Sequence, residues 1–385
     1  MNRLIIVGNG FDLSYGLKSS YQHFFKEYLK SCIENPKEES LYILRHKYYG
    51  SAEIPKQIKF NYEKDISQIK DQILSNGLSI DYKGEFSEGL LNELSISNWV
   101  DLESLYFKFI LRYTDSIKKI NLSTDTNRIN ELVKKIEDIH IEFEIIKKEL
   151  LLYLNSQEPK SKVDYDLLNE DIRKKFFTKF DYLPIPQIFT NNSLILNFNY
   201  TNYLKNIIEN QDFSHQINIH GSADESLNNP IIFGYGDYFH ESYKDIENLN
   251  IPEFLRFIKS MEYPKTNNYT TLLNFLDNGL IPQLNHNYDR KSILEFEVLI
   301  YGHSCGLSDR ILLKTIFEHQ HCKRIHVAFH NDIDDYFNKT IEISRHFDKK
   351  DEFLKKLQPF NEFLKIPQFS DYPLKDEKNK TYEVY

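Results

Sequence analysis

Five short blocks of the chain hold residue types that could do chemistry. The first is Gly8-Asn9-Gly10-Phe11-Asp12, directly after the apolar run Leu4-Ile5-Ile6-Val7. A glycine-containing turn between a strand and a helix lets backbone N–H groups approach a phosphate, and the helix dipole favours the anion. The same pattern also serves as a plain tight turn. Asp12 either caps the helix or reaches a ribose hydroxyl or a water. The second block pairs Asn199-Tyr200-Thr201-Asn202 with Ile219-His220-Gly221-Ser222, each at the end of a predicted strand. Asn offers a donor and an acceptor together, and His is a competent general base near neutral pH. Singly, Asn199 reads as a turn residue and His220 as a satisfied histidine; jointly they point to a site.

The third block is Phe233-Gly234-Tyr235-Gly236-Asp237, whose glycines permit either close backbone approach to a ligand or an ordinary turn. The fourth is Tyr301-Gly302-His303-Ser304-Cys305-Gly306-Leu307-Ser308-Asp309. Gly302 and Ser304 are its candidates for cofactor contact, and Ser308 or Asp309 reads as the cap of the next helix. Neighbours in sequence rarely present a hydrogen-bonded pair, so Cys305 beside His303 is not read as a nucleophile. The fifth is Trp99-Val100-Asp101-Leu102-Glu103. Two residues apart on a helix, Asp101 and Glu103 would not share a face, and a solvated helix with a buried Trp is the favoured reading.

These blocks need elements to hold them. Arg3 to Val7 is short, β-branched and followed by glycine, which predicts a buried strand of a parallel sheet. Helical spacing of aromatics from Tyr21 to Leu29 predicts a helix after the turn. Leu102, Leu105, Tyr106, Phe109 and Tyr113 predict another, and Ile129 through Leu150 a long amphipathic one. Strands are expected at 194–199, 216–220, 230–234, 294–301 and 324–329. Helices are expected near Thr201, over 254–276 with a break at Pro264, and over 309–319 and 333–345. The organisation expected is a discontinuous nucleotide-binding unit of residues 1–34 and 191–349. It is interrupted by a helical insertion, 35–190, and followed by a C-terminal extension, 350–385, whose tail beyond Pro367 is read as loosely held.

The chain of 385 residues has a formal net charge of −9 and 14% aromatic residues. That composition supports a sizeable core and gives no support to a general nucleic-acid-binding surface, while leaving a local basic groove open. Three scattered cysteines make neither a disulfide framework nor a zinc knuckle, so a cytoplasmic setting is expected. No uncharged apolar run reaches membrane-spanning length.

Together the blocks resemble the AbiH family, bacterial proteins of phage abortive infection. The resemblance rests on Gly8-Asn9-Gly10-Phe11-Asp12-Leu13, Gly16-Leu17, Ser20-Tyr21, Trp99-x-Asp101-Leu102-Glu103 and Asn197-Phe198-Asn199-Tyr200-Thr201. It continues through His220-Gly221, Phe233-Gly234-Tyr235-Gly236 and Gly302-His303-Ser304 with Asp309. More distantly the chain resembles sirtuin-like NAD-processing domains of bacterial defence systems. Their strand-end Asn and His are the catalytic pair, which falls on Asn199 and His220. Two departures stand out: Thr201 occupies the place of an Asp, and Phe11-Asp12 replaces a hydroxyl-bearing end of the first turn.

The resemblance implies an α/β, Rossmann-like (sirtuin-like) parallel sheet that binds and hydrolyses NAD or a related nucleotide, with no tightly bound cofactor. Asn199, His220 and Asp12 become the catalytic candidates. Gly8, Asn9, Gly10, Phe11, Gly221, Gly234, Asp237, Gly302, His303 and Ser304 become the nucleotide-binding ones, and no metal ligand is expected. Expected partners are the nucleotide, a phage-derived trigger or a second defence protein, and a second copy of the chain. Two other readings stand beside the hydrolase. One is a non-catalytic nucleotide-binding sensor or partner module. The other is a nuclease holding a divalent metal with Asp12, Asp101, Glu103 and Asp237.

Overall fold

The computed structural model describes the chain except for residues 48–57, 98–100, 121–124, 181–191, 209–213, 225–228, 237, 280–293 and 375–385. Trp99 and Asp237 therefore lie outside the described residues.

Five strands run parallel in one sheet: β1 (Asn2–Val7), β4 (Ser193–Asn197), β5 (Ser214–Asn218), β6 (Phe296–Tyr301) and β7 (Cys322–Val327). Their order is β5-β4-β1-β6-β7, with β1 central. In chain order within the sheet this is the 3-2-1-4-5 arrangement of a Rossmann-like α/β fold, and the direction of winding reverses between β1 and β6. The sequence places β-branched residues on both faces of the strands because helices cover both. Leu4 and Ile6 join one cluster, with Leu272, Phe275, Leu312 and Ile316. Ile5 and Val7 join the other, with Leu168, Ile172 and Phe176.

The helices are α1 (Asn9–Ser14), α2 (Tyr21–Glu34), α3 (Ile66–Ser75), α4 (Glu85–Ile96), α5 (Leu102–Lys118), α6 (Thr126–Asn155) and α7 (Tyr165–Phe177). They continue with α8 (Lys205–Ile208), α9 (Tyr243–Asn248), α10 (Lys259–Glu262), α11 (Asn268–Asn278), α12 (Arg310–Phe317), α13 (Ile333–Ser344) and α14 (Lys350–Lys356). Helices α2 to α6 pack with the antiparallel strand pair β2 (Tyr42–His46) and β3 (Leu78–Tyr82), joined through α3, around a separate aromatic core. Sequence patterning predicts neither of these two strands. α7 lies on the sheet instead, through Leu168, Ile172 and Phe176.

Two expectations are corrected. Residues 230–234 are not a strand. They form a buried connector in which Ile231 and Phe233 enter the helical core while Ile232 enters the sheet core. Alternating apolar residues bridge two cores here, and that pattern imitates a strand. The segment after Pro367 is held, not loose, as far as Leu374. Asp164 N–H donates to the Tyr372 carbonyl at 2.7 Å, the Tyr372 hydroxyl donates to Asp171 at 2.6 Å, and Leu374 N–H donates to Lys162 at 2.9 Å. Among the described residues no helix is long and apolar enough to cross a membrane.

Candidate active site at the carboxyl edge of the sheet

Strand register sets the site. Val7 pairs with Asn197 and with Tyr301, and Asn197 pairs with Asn218. Four strands therefore end level, and the turns carrying Gly8, Asn199, His220 and Gly302 emerge along one edge. That edge is where doubly wound sheets hold ligands, and the crevice between β1 and β6 is the switch point.

The first and last of these turns interlock. A Cβ on Gly8 would sit 2.6 Å from the His303 Cα, and one on Gly10 would sit 2.6 Å from the Gly302 Cα. Gly302 has φ +69°, the left-handed region that favours glycine. Gly8 N–H donates to the Tyr301 carbonyl at 3.1 Å and Gly10 N–H to the Gly302 carbonyl at 2.8 Å. Phe11 N–H closes the turn on Gly8 at 2.9 Å. The glycines thus allow two strand-end turns to pack backbone on backbone, and their N–H groups are spent within the protein.

Asn199 is positioned by Asn197, whose side-chain carbonyl accepts the Asn199 N–H at 3.1 Å. The Asn199 amide then donates to the Gly8 carbonyl at 3.1 Å and to Asp12 at 3.2 Å. The Thr201 hydroxyl lies 2.9 and 2.8 Å from the two oxygens of Asp12. Asp12 is no helix cap: it makes no capping bond in α1 and clamps the β1 turn to the β4 turn. Burial pushes its carboxyl up to about 7, against the lowering effect of the Thr201 hydrogen bond.

A second cluster lies deeper. Asp309 does not cap α12 through its side chain. One of its oxygens, Oδ1, accepts from Lys259 at 2.7 Å and lies 3.3 Å from His220 Nε2. The other is 3.5 Å from His303 Nε2. His303 Nδ1 accepts the Cys305 N–H at 3.0 Å, which places the His303 proton on Nε2, toward Asp309. His220 Nε2 also meets the Tyr263 hydroxyl at 3.3 Å, so Nδ1 is left as the imidazole acceptor; this tautomer is assigned from its partners. Burial, then the charge of Lys259, lowers His220 to about 4, and it is neutral near pH 7. Burial alone would raise Asp309, but Lys259 and His220 hold it well below the usual carboxylate range.

Lys259 also donates to Glu103 at 3.0 Å, and Gly234 N–H donates to the other Glu103 oxygen at 3.0 Å. Burial raises the Glu103 carboxyl, with Lys259 opposing and Asp309 and Asp101 adding to the rise. Asp101 caps α5 by accepting the Ser104 N–H at 3.0 Å. As the cap residue, with ψ 101°, it lies outside helical geometry. The rule that residues two apart diverge therefore does not apply, and Asp101 and Glu103 line one cavity.

That cavity, about 380 Å³, brings together Gly8, Asn9, Gly10, Asp12, Asn199 and His220 with Gly302, His303 and Ser304. Its volume is in the range of small-molecule sites. A family model described as bacteriophage abortive infection AbiH matches residues 4–331. The chain belongs to the AbiH family. No curated protein and no solved structure matches it.

Three nucleotide-binding candidates of this AbiH chain lie off the cavity wall. Phe11 is in the sheet core, stacked on Tyr15 at 5.5 Å. Gly221, at φ +83°, packs its turn against the Pro230 carbonyl, which a Cβ would meet at 2.5 Å. Gly234 acts at one remove, through its hydrogen bond to Glu103. Asp237 is outside the described residues.

The cavity also holds residues that the sequence reading did not place in the site, among them Tyr21, Lys259, Ser308 and Lys339. Lys259 follows Phe254-Leu255-Arg256-Phe257-Ile258, and nothing in its neighbours marks it. Asp309 and Glu103 stood in recognised blocks, where a capping role and a solvated-helix role hid them. Cys305 is buried, and burial pushes its thiol up to about 12. Among the described residues no group of three or more His, Cys, Asp and Glu side chains is arranged for a metal ion.

Proposed function

We propose that this AbiH protein acts in abortive infection by binding NAD or a related nucleotide in the sheet-edge cavity and hydrolysing its N-glycosidic bond. The observation that carries the reading is the convergence of Asn199 and His220 on one cavity, with Asp309 buried behind His220.

In this reading the water oxygen forms a bond to the ribose anomeric carbon, and the bond from that carbon to the nicotinamide nitrogen breaks. Its electron pair leaves with neutral nicotinamide. The water proton passes to Nδ1 of His220 and then to solvent, and ionised Asp309 stabilises the imidazolium while it exists. The Asn199 amide is fixed by Gly8 and Asp12, which leaves its Oδ1 to orient the water or a ribose hydroxyl. Positive charge gathers on the ribose as the bond breaks, facing a wall that includes Asp12, Asp101 and Glu103. The polar rim, with Asn9, Ser304, Ser308 and Lys339, is the side suited to the phosphates, because the Gly8 and Gly10 N–H groups are already engaged.

The test is nicotinamide release from NAD by the purified chain, alongside Asn199→Ala and His220→Ala. Release that both substitutions abolish supports the reading. A folded chain that releases nothing, even when taken from phage-infected cells, removes it.

One observation favours a second reading, the non-catalytic nucleotide sensor. The Asn199 amide nitrogen and both Asp12 oxygens are committed to holding turns together. That reading expects thermal stabilisation by nucleotide without product. Nothing comparable favours the nuclease: Asp101 caps a helix, Glu103 pairs with Lys259, and Asp12 is clamped by Thr201.

A further inference from the structure

We propose that Lys259 is the positioning residue of this site: its ammonium orients the Asp309 carboxylate and, by sharing one oxygen with His220, weakens the hold of that carboxylate on the imidazole. The proposal builds on the hydrolytic reading for its purpose, but its physical content does not depend on it.

The lysine is 1% exposed and stands in a four-residue helix, α10, which reaches the sheet edge from the connector after the third block. A fully buried lysine is rare unless it is paired. Burying an ion pair seldom improves on packing an apolar side chain of similar volume, so stability alone gives little reason for a lysine here. The geometry supplies another reason. Lys259 Nζ and His220 Nε2 approach the same atom, Asp309 Oδ1, at 2.7 and 3.3 Å, while His303 takes Oδ2 at 3.5 Å. Glu103, from α5, holds the other side of the ammonium at 3.0 Å. Lys259 is thus fixed between the helical layer and the sheet edge, and it shares the carboxylate oxygen that would otherwise draw a proton onto His220.

The charged and titratable groups around His220 come from each element packed on it. They are Asp309 before α12, Lys259 of α10 and Tyr263 after it, His303 after β6, Tyr200 after β4, and Glu103 of α5. Lys259 is the one cation among them when the histidines are neutral. Its removal leaves Asp309 to act on His220 unopposed.

The experiment is an NMR pH titration of the full chain with isotope-labelled histidine, His220 being assigned by its loss in His220→Asn. It compares wild type with Lys259→Met, Lys259→Gln and Lys259→Arg. Gln retains donors toward both carboxylates and carries the test should Met fail to fold. The expected result is a His220 midpoint raised by about one pH unit or more in the neutral variants and restored by Arg. A His220 midpoint unmoved in a folded neutral variant overturns the proposal, since a lysine that only fills space leaves the titration alone. No substrate is present in this measurement. A shifted His220 in a chain that releases no nicotinamide therefore upholds the role of Lys259 and removes the hydrolytic reading. An unmoved His220 in an active chain does the reverse.

Discussion

His220 and Asp309 stand 3.3 Å apart, nitrogen to carboxylate oxygen, although one ends the β5 turn and the other precedes α12. The pair joins two blocks that look unrelated in the chain. Replacing the acid tests its chemistry: Asp309→Asn keeps the shape but removes the charge that would stabilise an imidazolium. Nicotinamide release from NAD is expected to fall by about 10²–10⁴-fold, the usual contribution of a general base. A full rate in Asp309→Asn contradicts a proton-accepting role for His220.

The interlocked turns make a prediction about stability. In Gly10→Ala the new Cβ would lie 2.6 Å from the Gly302 Cα, and the neighbour is backbone that cannot swing aside. The cost expected is about 1–3 kcal/mol, read as a lower urea midpoint. A midpoint equal to wild type would mean that the two turns are not packed as described.

Asp12 makes stability depend on pH. Its carboxyl is raised from 3.8 to about 7 by burial, so the folded chain keeps a proton that the unfolded chain has already released. That contribution is fully present below the unfolded value and is lost as pH rises through about 7. Asp12→Asn keeps a carbonyl acceptor for Thr201 and does not titrate. The midpoint of the variant relative to wild type is expected to climb between about pH 4 and pH 8. A difference constant with pH would show that Asp12 is ionised throughout.

His140 tests the helical core with the opposite sign. It is 2% exposed, neither ring nitrogen has a hydrogen-bond partner among the described residues, and it lies against Tyr106 and Phe257. Burial, then Arg256, lowers it to about 4, so the stability of the neutral form is present above the unfolded value of 6.5 and lost as pH falls toward 4. His140→Phe is expected to stabilise the chain by about 1–3 kcal/mol, because it removes unsatisfied buried nitrogens. The gain is expected to grow in acid. Destabilisation at every pH would show that His140 has a partner or a purpose in the native state.

Much of this was legible in the sequence, for identifiable reasons. The run Leu4 to Val7 announces a strand covered on both faces, and β4 and β6 beside it carry apolar runs with a polar or glycine stop, whereas the edge strands β5 and β7 are mixed. Those stops are the site, because parallel register aligns them. The pairwise contacts were not legible. Thr201 and Asp12 look like two separate departures from the sirtuin-like pattern, yet their side chains meet at 2.8 Å. Asp309 and Glu103 each had a plausible local role, and Lys259 had no local signal at all; their meaning comes from residues about fifty and over a hundred and fifty positions away. Of the two roles open to the first glycine turn, ligand approach and a tight turn, the atoms that exclude a side chain at Gly8 and Gly10 fit the second, since they belong to the protein itself.

The proposed reaction is cleavage of a nicotinamide nucleotide in this AbiH cavity by Asn199 and His220. It is tested most directly by following free nicotinamide while NAD is incubated with chain purified from phage-infected cells. Wild type is expected to release nicotinamide, and folded Asn199→Ala and His220→Ala are expected to release little or none. Equal release by all three, or none by wild type while NAD raises its melting temperature, would contradict it.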